Sequence, residues 1–484
     1  MSAWLRGGAA ALAGLGAAEL LGAAVRGPSL IDAAGKLVVD TAPLPVVEQT
    51  VKYLRAADKP VTRAAVVSAV VGAGALLGQA RSRPIARGLV TGVAAAAAAG
   101  LALRPPGGDG ARDARTTAAA LSSAAAGAAV TAWALSVPTP RVRALALAGG
   151  AGLAASLRLR GLHIRRHAAA RPALLPPVAS PLPPARDGAE TWRDISPLLT
   201  PVEDFYVTDV TMRPPLIDTD GWHLDVSGAC TAPYRLPYDQ LLAGDLVEFD
   251  AVLSCVHNRL GWDRLGNQRW TGIPLRTLLD KAAPHPTARY VVTRAVDGWE
   301  CSLPLELLER TDAYVVVGIA GRPLTAAHGF PARVFVPGLY GQFTGAKWLT
   351  GLRLTEHPNP DYWLPRGWPR EPVPVRPLAR IDRPAPGRVP GPTVTCTGVA
   401  WAPPHGVTQV EVRVDGGPWQ TAELAAELAP AAWRRWRLPL SLTPGEHTLQ
   451  ARCTSRDGTR QSPVPRTPFP TGTSGHHTVT ITAR

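Results

Sequence analysis

Apolar residues follow two different rhythms along this chain. Through residues 1–160 they come as long runs of Ala, Leu, Val and Gly, broken by Pro, Arg and Gly. Runs at 4–25, 62–79, 85–103, 116–137 and 144–157 contain few or no charges. About 20 helical residues cross the hydrocarbon core of a bilayer. None of the runs shows the polar stripe of a soluble amphipathic helix. The pattern predicts an all-α transmembrane bundle of about five spans within residues 1–167. Its many small residues allow helix backbones to approach closely. Glu19 is the one acid inside a span and is expected near an interface or between helices. A cleaved signal peptide would account only for the first run.

Residues 168–190, AAARPALLPPVASPLPPARDGAE, are too rich in Pro for helix or sheet and predict an extended spacer. From residue 191 short alternating runs take over. WHLDVSG (222–228), RYVVTRAV (289–296) and ARVFVPG (332–338) read as strands. PLRTLLDKA (274–282) and PLELLER (304–310) read as short helices. This mixture predicts an α+β domain over 191–375. The Pro-rich stretch 376–392 opens a last domain, 376–484. There TVTCTGVAW, QVEVRVDGG, RRWRLPL, HTLQARCTSRDG and HTVTITAR are strands spaced for an immunoglobulin-like β-sandwich, with AELAAEL (422–428) as a short helix.

Charge and cysteine usage narrow the functional classes. The formal net charge is +14, but the Arg residues are scattered singly and no helix-turn-helix, RNA-binding or zinc-finger pattern accompanies them. Nucleic acid is therefore not an expected partner, whereas a lipid bilayer is. With five spans, the basic residues from Arg26 to Arg63 and from Arg158 to Arg166 share one side of the membrane. The positive-inside rule then places the C-terminal domains in the cytoplasm of a multi-pass cell-membrane protein. None of the five cysteines forms CxxC, so zinc ribbons, thioredoxin chemistry and c-type haem attachment lack support. Histidine is absent before His163, which leaves a transmembrane b-type haem without axial ligands. The bundle reads as an anchor or docking surface.

The chemistry concentrates at 250–282, DAVLSCVHNRLGWDRLGNQRWTGIPLRTLLDKA. A strand-like run ends in Cys255, beside His257, Asn258 and Arg259. Nearby cations and donors lower a thiol pKa. From these residues alone Cys255 is a nucleophile, a soft metal ligand or an inert buried thiol.

The Cys-x-x-Asn pattern at 255–258, followed by Trp-x-Gly-x-x-Leu at 270–275, resembles the molybdenum-binding segment of sulfite oxidase-like enzymes. FYVTD (205–209) and WHLDVSG look like that family's opening strands. GRPLTAAHGFPARVFVPGLYGQFTGAKWL (321–349) is similar to its long signature, and YWLPRGW (362–368) with the C-terminal sandwich to its dimerisation domain. The resemblance covers about 190–484 and implies a sulfite oxidase-type molybdopterin domain over 191–375. It implies molybdenum held by the Cys255 thiolate and one molybdopterin, with two-electron oxygen-atom transfer to or from a small-molecule substrate. Asn258, Asp297, His328, Arg333, Gly345, Ala346 and Lys347 match cofactor contacts. Sulfite-oxidising members carry Arg where this chain has Thr208, and Tyr where it has Trp299, so sulfite is a doubtful substrate. Trp299, His257 and Arg259 are the candidate residues on the catalytic side, with Arg264 another source of positive charge. The chain carries no haem or iron–sulfur motif, so electrons pass to or from a separate carrier, a cytochrome or a membrane redox protein. A homodimer through the sandwich is implied by the resemblance alone. The alternative is a non-catalytic membrane-bound scaffold built on a degenerate domain of this type.

Overall fold

The computed structural model describes residues 3–54, 57–79, 114–136, 141–172, 174–344, 346–389 and 391–484. By contact the chain divides into two compact units, 1–171 with 209–216, and 172–208 with 217–484.

The first unit is helical: α1 (Ala3–Ala24), α2 (Leu30–Thr41), α3 (Leu44–Leu54), α4 (Asp58–Gln79), α5 (Ala114–Ser136) and α6 (Val142–Ala170). Among the described residues, α1, α5 and α6 are long and apolar enough to cross a membrane. The run expected at 62–79 forms most of α4, which opens with Asp58, Lys59 and Arg63 and is not among those three. The run at 85–103 lies outside the described residues. The last run, 144–157, is the first half of a helix that continues to Ala170. The expected spacer is therefore helical at 168–170 and extended only beyond it, where Pro172 interrupts the hydrogen-bond ladder.

Glycine lets α1 touch its neighbours backbone to backbone. A Cβ on Gly7 would strike Gly74 and Gly78 of α4, and one on Gly16 would strike Gly149 of α6. Glu19 is buried, accepting from Ser29 Oγ and Ile31 N at 3.0 Å each at the start of α2. Residues 209–216 are part of this unit: Asp209 pairs with Lys59 at 2.6 Å, Met212 lies against Gly35, and Arg213 and Arg63 share Asp32.

The second unit carries four sheets. One orders its strands Tyr234–Pro237, His223–Gly228, Leu349–Thr355, Tyr290–Ala295 and Glu300–Pro304. Another joins Val247–Ser254, Leu265–Pro274 and Tyr314–Ile319, with Arg322–Pro323 and Arg333–Phe335 both pairing on the last. Both sheets bury Val, Leu, Ile and aromatic side chains in one core, with Trp270 and Phe335 fully enclosed. The two C-terminal sheets close over a second core that includes Cys396, Val410, Trp436, Leu449 and Ile481. All five cysteines are free, so Cys396 and Cys453 are buried thiols in that core.

Two local expectations fail for the same reason. AELAAEL is not a helix: Glu423–Leu424 is an edge strand on Arg434–Ser441, and Glu423 binds Arg437 at 2.7 and 3.1 Å. FYVTD is not a strand but an irregular segment, fixed by Phe205 packing edge-on against Trp270 at 5.5 Å. In both, tertiary contacts override local propensity.

Candidate active site

Cys255 follows the last residue of Val247–Ser254, where the ladder with Leu265–Pro274 runs out. Its N–H donates to Arg264 O at 2.9 Å, and its carbonyl accepts from Asn258 N at 3.0 Å. The Asn258 side chain crosses the loop, its Oδ1 accepting from Arg264 N at 3.0 Å. A tight, hydrogen-bonded loop thus holds the thiol at one place on the end of a rigid strand.

The surroundings of the sulfur are dry and electropositive. Burial pushes the Cys255 thiol up, and the His257 backbone N–H, Arg264, the Thr208 hydroxyl and Lys347 pull it back toward the thiolate. Tyr206 is also driven well up by burial and by the Cys255 charge, opposed by Arg333 and Arg264. Arg264, Lys347, Thr208 and Tyr206 therefore lie within reach of Cys255, and Arg333 within reach of Tyr206.

The signature at 321–349 builds the basic wall. Thr325 caps the short turn Ala326–His328 by accepting from His328 N at 3.2 Å, and its hydroxyl meets His328 Nδ1 at 2.7 Å. His328 Nε2 donates to Phe205 O at 3.4 Å. Burial lowers the His328 pKa to about 4, so this imidazole is neutral near pH 7. Arg333 Nη1 donates to the His328 carbonyl at 3.4 Å, beneath the Trp270 ring at 5.9 Å. Lys347 Nζ donates to Ala327 O at 3.1 Å. Ala346 is fully buried, with its carbonyl accepting from Val334 N; Gly345 lies outside the described residues.

Gly329 allows this wall to close. Its φ is +107°, and a Cβ there would sit 3.1–3.2 Å from Lys347 and Arg333 atoms. Gly329→Ala should cost about 1–3 kcal/mol from the left-handed backbone alone. Thermal unfolding would measure that loss, and a lower cofactor content should accompany it as Arg333 and Lys347 are pushed apart.

The remaining expected residues are placed as follows. Asp297 caps its own turn, Oδ1 accepting from Trp299 N at 3.1 Å, and Val296 N donates to Trp348 O next to Lys347. Trp299 stands by Tyr362 at 5.7 Å and Trp363 at 6.4 Å. Arg259 lies over Trp262 at 5.6 Å. The His257 ring is enclosed by Trp363, Trp368 and Phe469, at 6.0, 5.6 and 4.3 Å. That enclosure and the nearby cations lower its pKa to about 3, which removes it as a base for the thiol. Sequence reasoning missed the ring box. YWLPRGW was noticed for its resemblance, but nothing marked Phe469 as a neighbour of the cysteine loop. Tyr206 was legible only as part of FYVTD.

Among the described residues, Arg333 Nε, Gln342 Oε1 and Thr344 Oγ1 are buried without partners. Buried polar atoms are seldom left so unless a ligand or water completes them. Among the described residues there is also no group of three His, Cys, Asp or Glu able to hold a metal. Cys255 offers one soft donor, and a dithiolene cofactor would bring others of its own. The residues fit such a group: a soft thiolate on one side, cations and unpartnered donors on the other.

Fold and site together define an oxidoreductase domain that binds molybdopterin. Residues 211–363 match the oxidoreductase molybdopterin binding domain. The chain is 33% identical over 151 residues to an uncharacterised oxidoreductase, YuiH, of Bacillus subtilis, covering 31% of this chain and 74% of that one. It is 28% identical over 293 residues to mitochondrial sulfite oxidase of Homo sapiens, covering 50% of this chain and 53% of that one. It is 32% identical over 160 residues to the protein-methionine-sulfoxide reductase catalytic subunit MsrP of Gluconobacter oxydans, covering 29% and 49%. The chain belongs to the sulfite oxidase-like family of molybdopterin-dependent oxidoreductases, and its cofactor is Mo-molybdopterin. It spans about half the length of the sulfite oxidase and MsrP relatives. Among solved structures, the sulfane dehydrogenase SoxCD of Paracoccus pantotrophus aligns over 62% of this chain and 93% of that one, at 20% identity and a TM-score of 0.49.

Proposed function

We propose that this protein is a membrane-anchored enzyme that transfers an oxygen atom to or from a small molecule and exchanges the two electrons with a separate carrier. The bound cofactor supplies the redox and oxygen-transfer chemistry; the protein binds it, orients it and sets its surroundings. Cys255 is the protein's metal ligand. The His257 N–H and Arg264 stabilise its thiolate, and Asn258 fixes the loop that aims it. Arg333, Lys347 and His328 take the pterin and its phosphate, with the backbone at Ala346 and the turn at Asp297 completing the cradle. Charge-assisted contacts of this kind are the strong ones. Trp299 shapes the substrate side, and His257 and Arg259 border it.

α1, α5 and α6 serve as the membrane anchor, the two C-terminal sheets form an immunoglobulin-like sandwich that pairs two copies of the chain, and a cytochrome or membrane redox protein is the electron partner. The domains divide as residues 1–167, 168–190, 191–375 and 376–484. The cytoplasmic side follows from the charge count if the span number is odd.

The observation that carries this reading is a lone strand-end thiol within electrostatic reach of Arg264 and Lys347, with buried polar atoms left without partners along the same signature. Analysis of the detergent-solubilised full chain should find one molybdenum and one pterin per chain. Protein purified from molybdenum-replete cells with neither would overturn it.

A further inference from the structure

The loop that carries Cys255 has two halves, held by different parts of the fold. The inner half is closed by its own hydrogen bonds: Cys255 N to Arg264 O, Asn258 N to Cys255 O and Arg264 N to Asn258 Oδ1. The outer half, residues 260–262, leans on the C-terminal sheets. Arg380 Nη1 donates to the Trp262 carbonyl at 3.1 Å. The rest of that guanidinium is fixed: Nε donates to Asp382 Oδ1 at 2.6 Å and Nη2 to Ser196 Oγ at 3.2 Å, while Ser196 Oγ donates to Asp382 Oδ2 at 2.6 Å. His477, the first residue of the last strand, His477–Ala483, rests against Gly261. Gly261 has a φ of +75°, and a Cβ there would strike the His477 ring. His477 Nδ1 accepts from Ile381 N at 3.0 Å, which sets the ring's orientation and turns its Nε2 side toward Gly261. Leu260 lies against Gly475, where a Cβ would be 3.3 Å from its Cδ1.

The same two parts share a core. Val252, Val256 and Leu265, from the cysteine loop and the strands that flank it, pack with Leu378, Val399, Trp401 and Trp433 of the C-terminal part of the chain. Phe469 adds its ring to His257 at 4.3 Å. The core between the two C-terminal sheets does not depend on these contacts, since it closes around other residues, among them Cys396, Val410 and Trp436. The contacts therefore serve the loop more than the sheets. Outer-shell partners orient a metal's ligands, and with one protein ligand the loop is the route by which they can do so.

We propose that the C-terminal sheets are the outer shell of the metal site. Arg380 and His477 are positioning residues: they hold Gly261 and Trp262, and through that backbone they set the direction in which Cys255 presents its sulfur. Both act through the loop rather than on substrate. A loop released at its outer end would pivot on the Asn258–Arg264 hydrogen bond and turn the thiolate away from its bonding direction. This assignment rests on Cys255 being the metal ligand.

The test uses the molybdenum-loaded full chain in detergent and reads two quantities besides turnover. One is the rate at which bound molybdenum is lost on dialysis. The other is the Mo(V) electron paramagnetic resonance signal, which follows the direction of the sulfur at the metal. Arg380→Met should speed molybdenum loss by about 10-fold or more, the range for outer-shell partners, and should broaden or split the Mo(V) signal. Arg380→Lys should recover part of that loss, since it keeps a charged donor for the Trp262 carbonyl and gives up the fork. His477→Asn keeps an acceptor for Ile381 N but withdraws the ring from Gly261, and should move both readings the same way. Arg452→Met serves as the comparison for a general structural loss. Arg452 pairs with Glu411 at 2.7 Å in the same pair of sheets, about as buried as Arg380 with Asp382, and lies over Trp419. Its loss should lower the melting temperature comparably and leave both readings at the wild-type value. Should Arg380→Met fail to fold, Arg380→Lys and His477→Asn carry the same comparison. Wild-type protein lacking molybdenum and pterin refutes the cofactor ligation itself. With the wild type loaded, Arg380 and His477 variants that match it in both readings, or an Arg452 variant that moves them as far, would overturn the positioning role alone.

Discussion

Replacing Cys255 with serine should yield a folded protein that has lost its molybdenum. The exchange keeps the side chain's size, and the hydrogen bonds that shape the loop, Cys255 N to Arg264 O and Asn258 Oδ1 to Arg264 N, do not involve the sulfur. What changes is the donor. A serine hydroxyl is hard and stays protonated, whereas the thiol is soft and stands among groups that favour its anion. Altering outer-shell partners of a metal costs about 10- to 100-fold in affinity or activity, so loss of the protein's own ligand should exceed about 100-fold. Metal content, pterin fluorescence and near-ultraviolet circular dichroism on one preparation separate ligand loss from misfolding. Full metal content in the serine variant would sink the assignment. A pH dependence accompanies it. Burial raises the Cys255 thiol above its ordinary value, so near neutrality the cofactor-free protein holds the proton and ligation releases it. Cofactor affinity should therefore rise with pH, by up to about tenfold per unit, until the thiol's own pKa is reached.

How far the sequence disclosed this site depended on the range of the interactions that build it. His223–Gly228 was legible because it alternates against one buried face, and Tyr290–Ala295 because it is a short run rich in Val and Thr, both properties of the segment itself. The cysteine loop was legible because strand, Cys255 and Asn258 are contiguous. The box around His257 was not, because Trp363, Trp368 and Phe469 come to it from more than 100 residues away. Asp361 positions Trp363 by accepting from its N–H at 2.8 Å, a local turn whose purpose appears only in three dimensions. Arg264 is an intermediate case. Its closeness in sequence to Cys255 made it a candidate beside Arg259 and His257. The hydrogen bond from Cys255 N to its carbonyl sets it apart, whereas Arg259 lies over Trp262 and His257 is enclosed by rings. The helical unit was readable as apolar runs, yet the grouping of 209–216 with α2 and α4 depends on Asp32, Lys59 and Arg63, which a hydropathy pattern treats only as interruptions.

Arg333→Met should stabilise the cofactor-free protein and destabilise the loaded one. Arg333 is buried without a carboxylate partner among the described residues, and desolvation lowers its pKa from the ordinary guanidinium value to about 10. A guanidinium so displaced carries a folding cost of about 3 kcal/mol. The sign follows from linkage: a base whose folded pKa is depressed opposes folding fully at pH values below about 10, and the opposition fades as pH rises from there toward the ordinary guanidinium value. At neutral pH the whole cost is present. Methionine fills a similar volume without charge and keeps contact with Trp270, so it removes most of that cost. A phosphate beside the arginine reverses the balance, because the charge then has a counter-ion and the unpartnered Nε an acceptor. The melting temperature of the cofactor-free Met variant should rise by several degrees, while its cofactor content falls by about 10-fold or more. Calorimetry on loaded and unloaded forms of both proteins measures this crossing. A variant destabilised in both forms would mean that Arg333 is held by the fold itself rather than kept charged for a ligand.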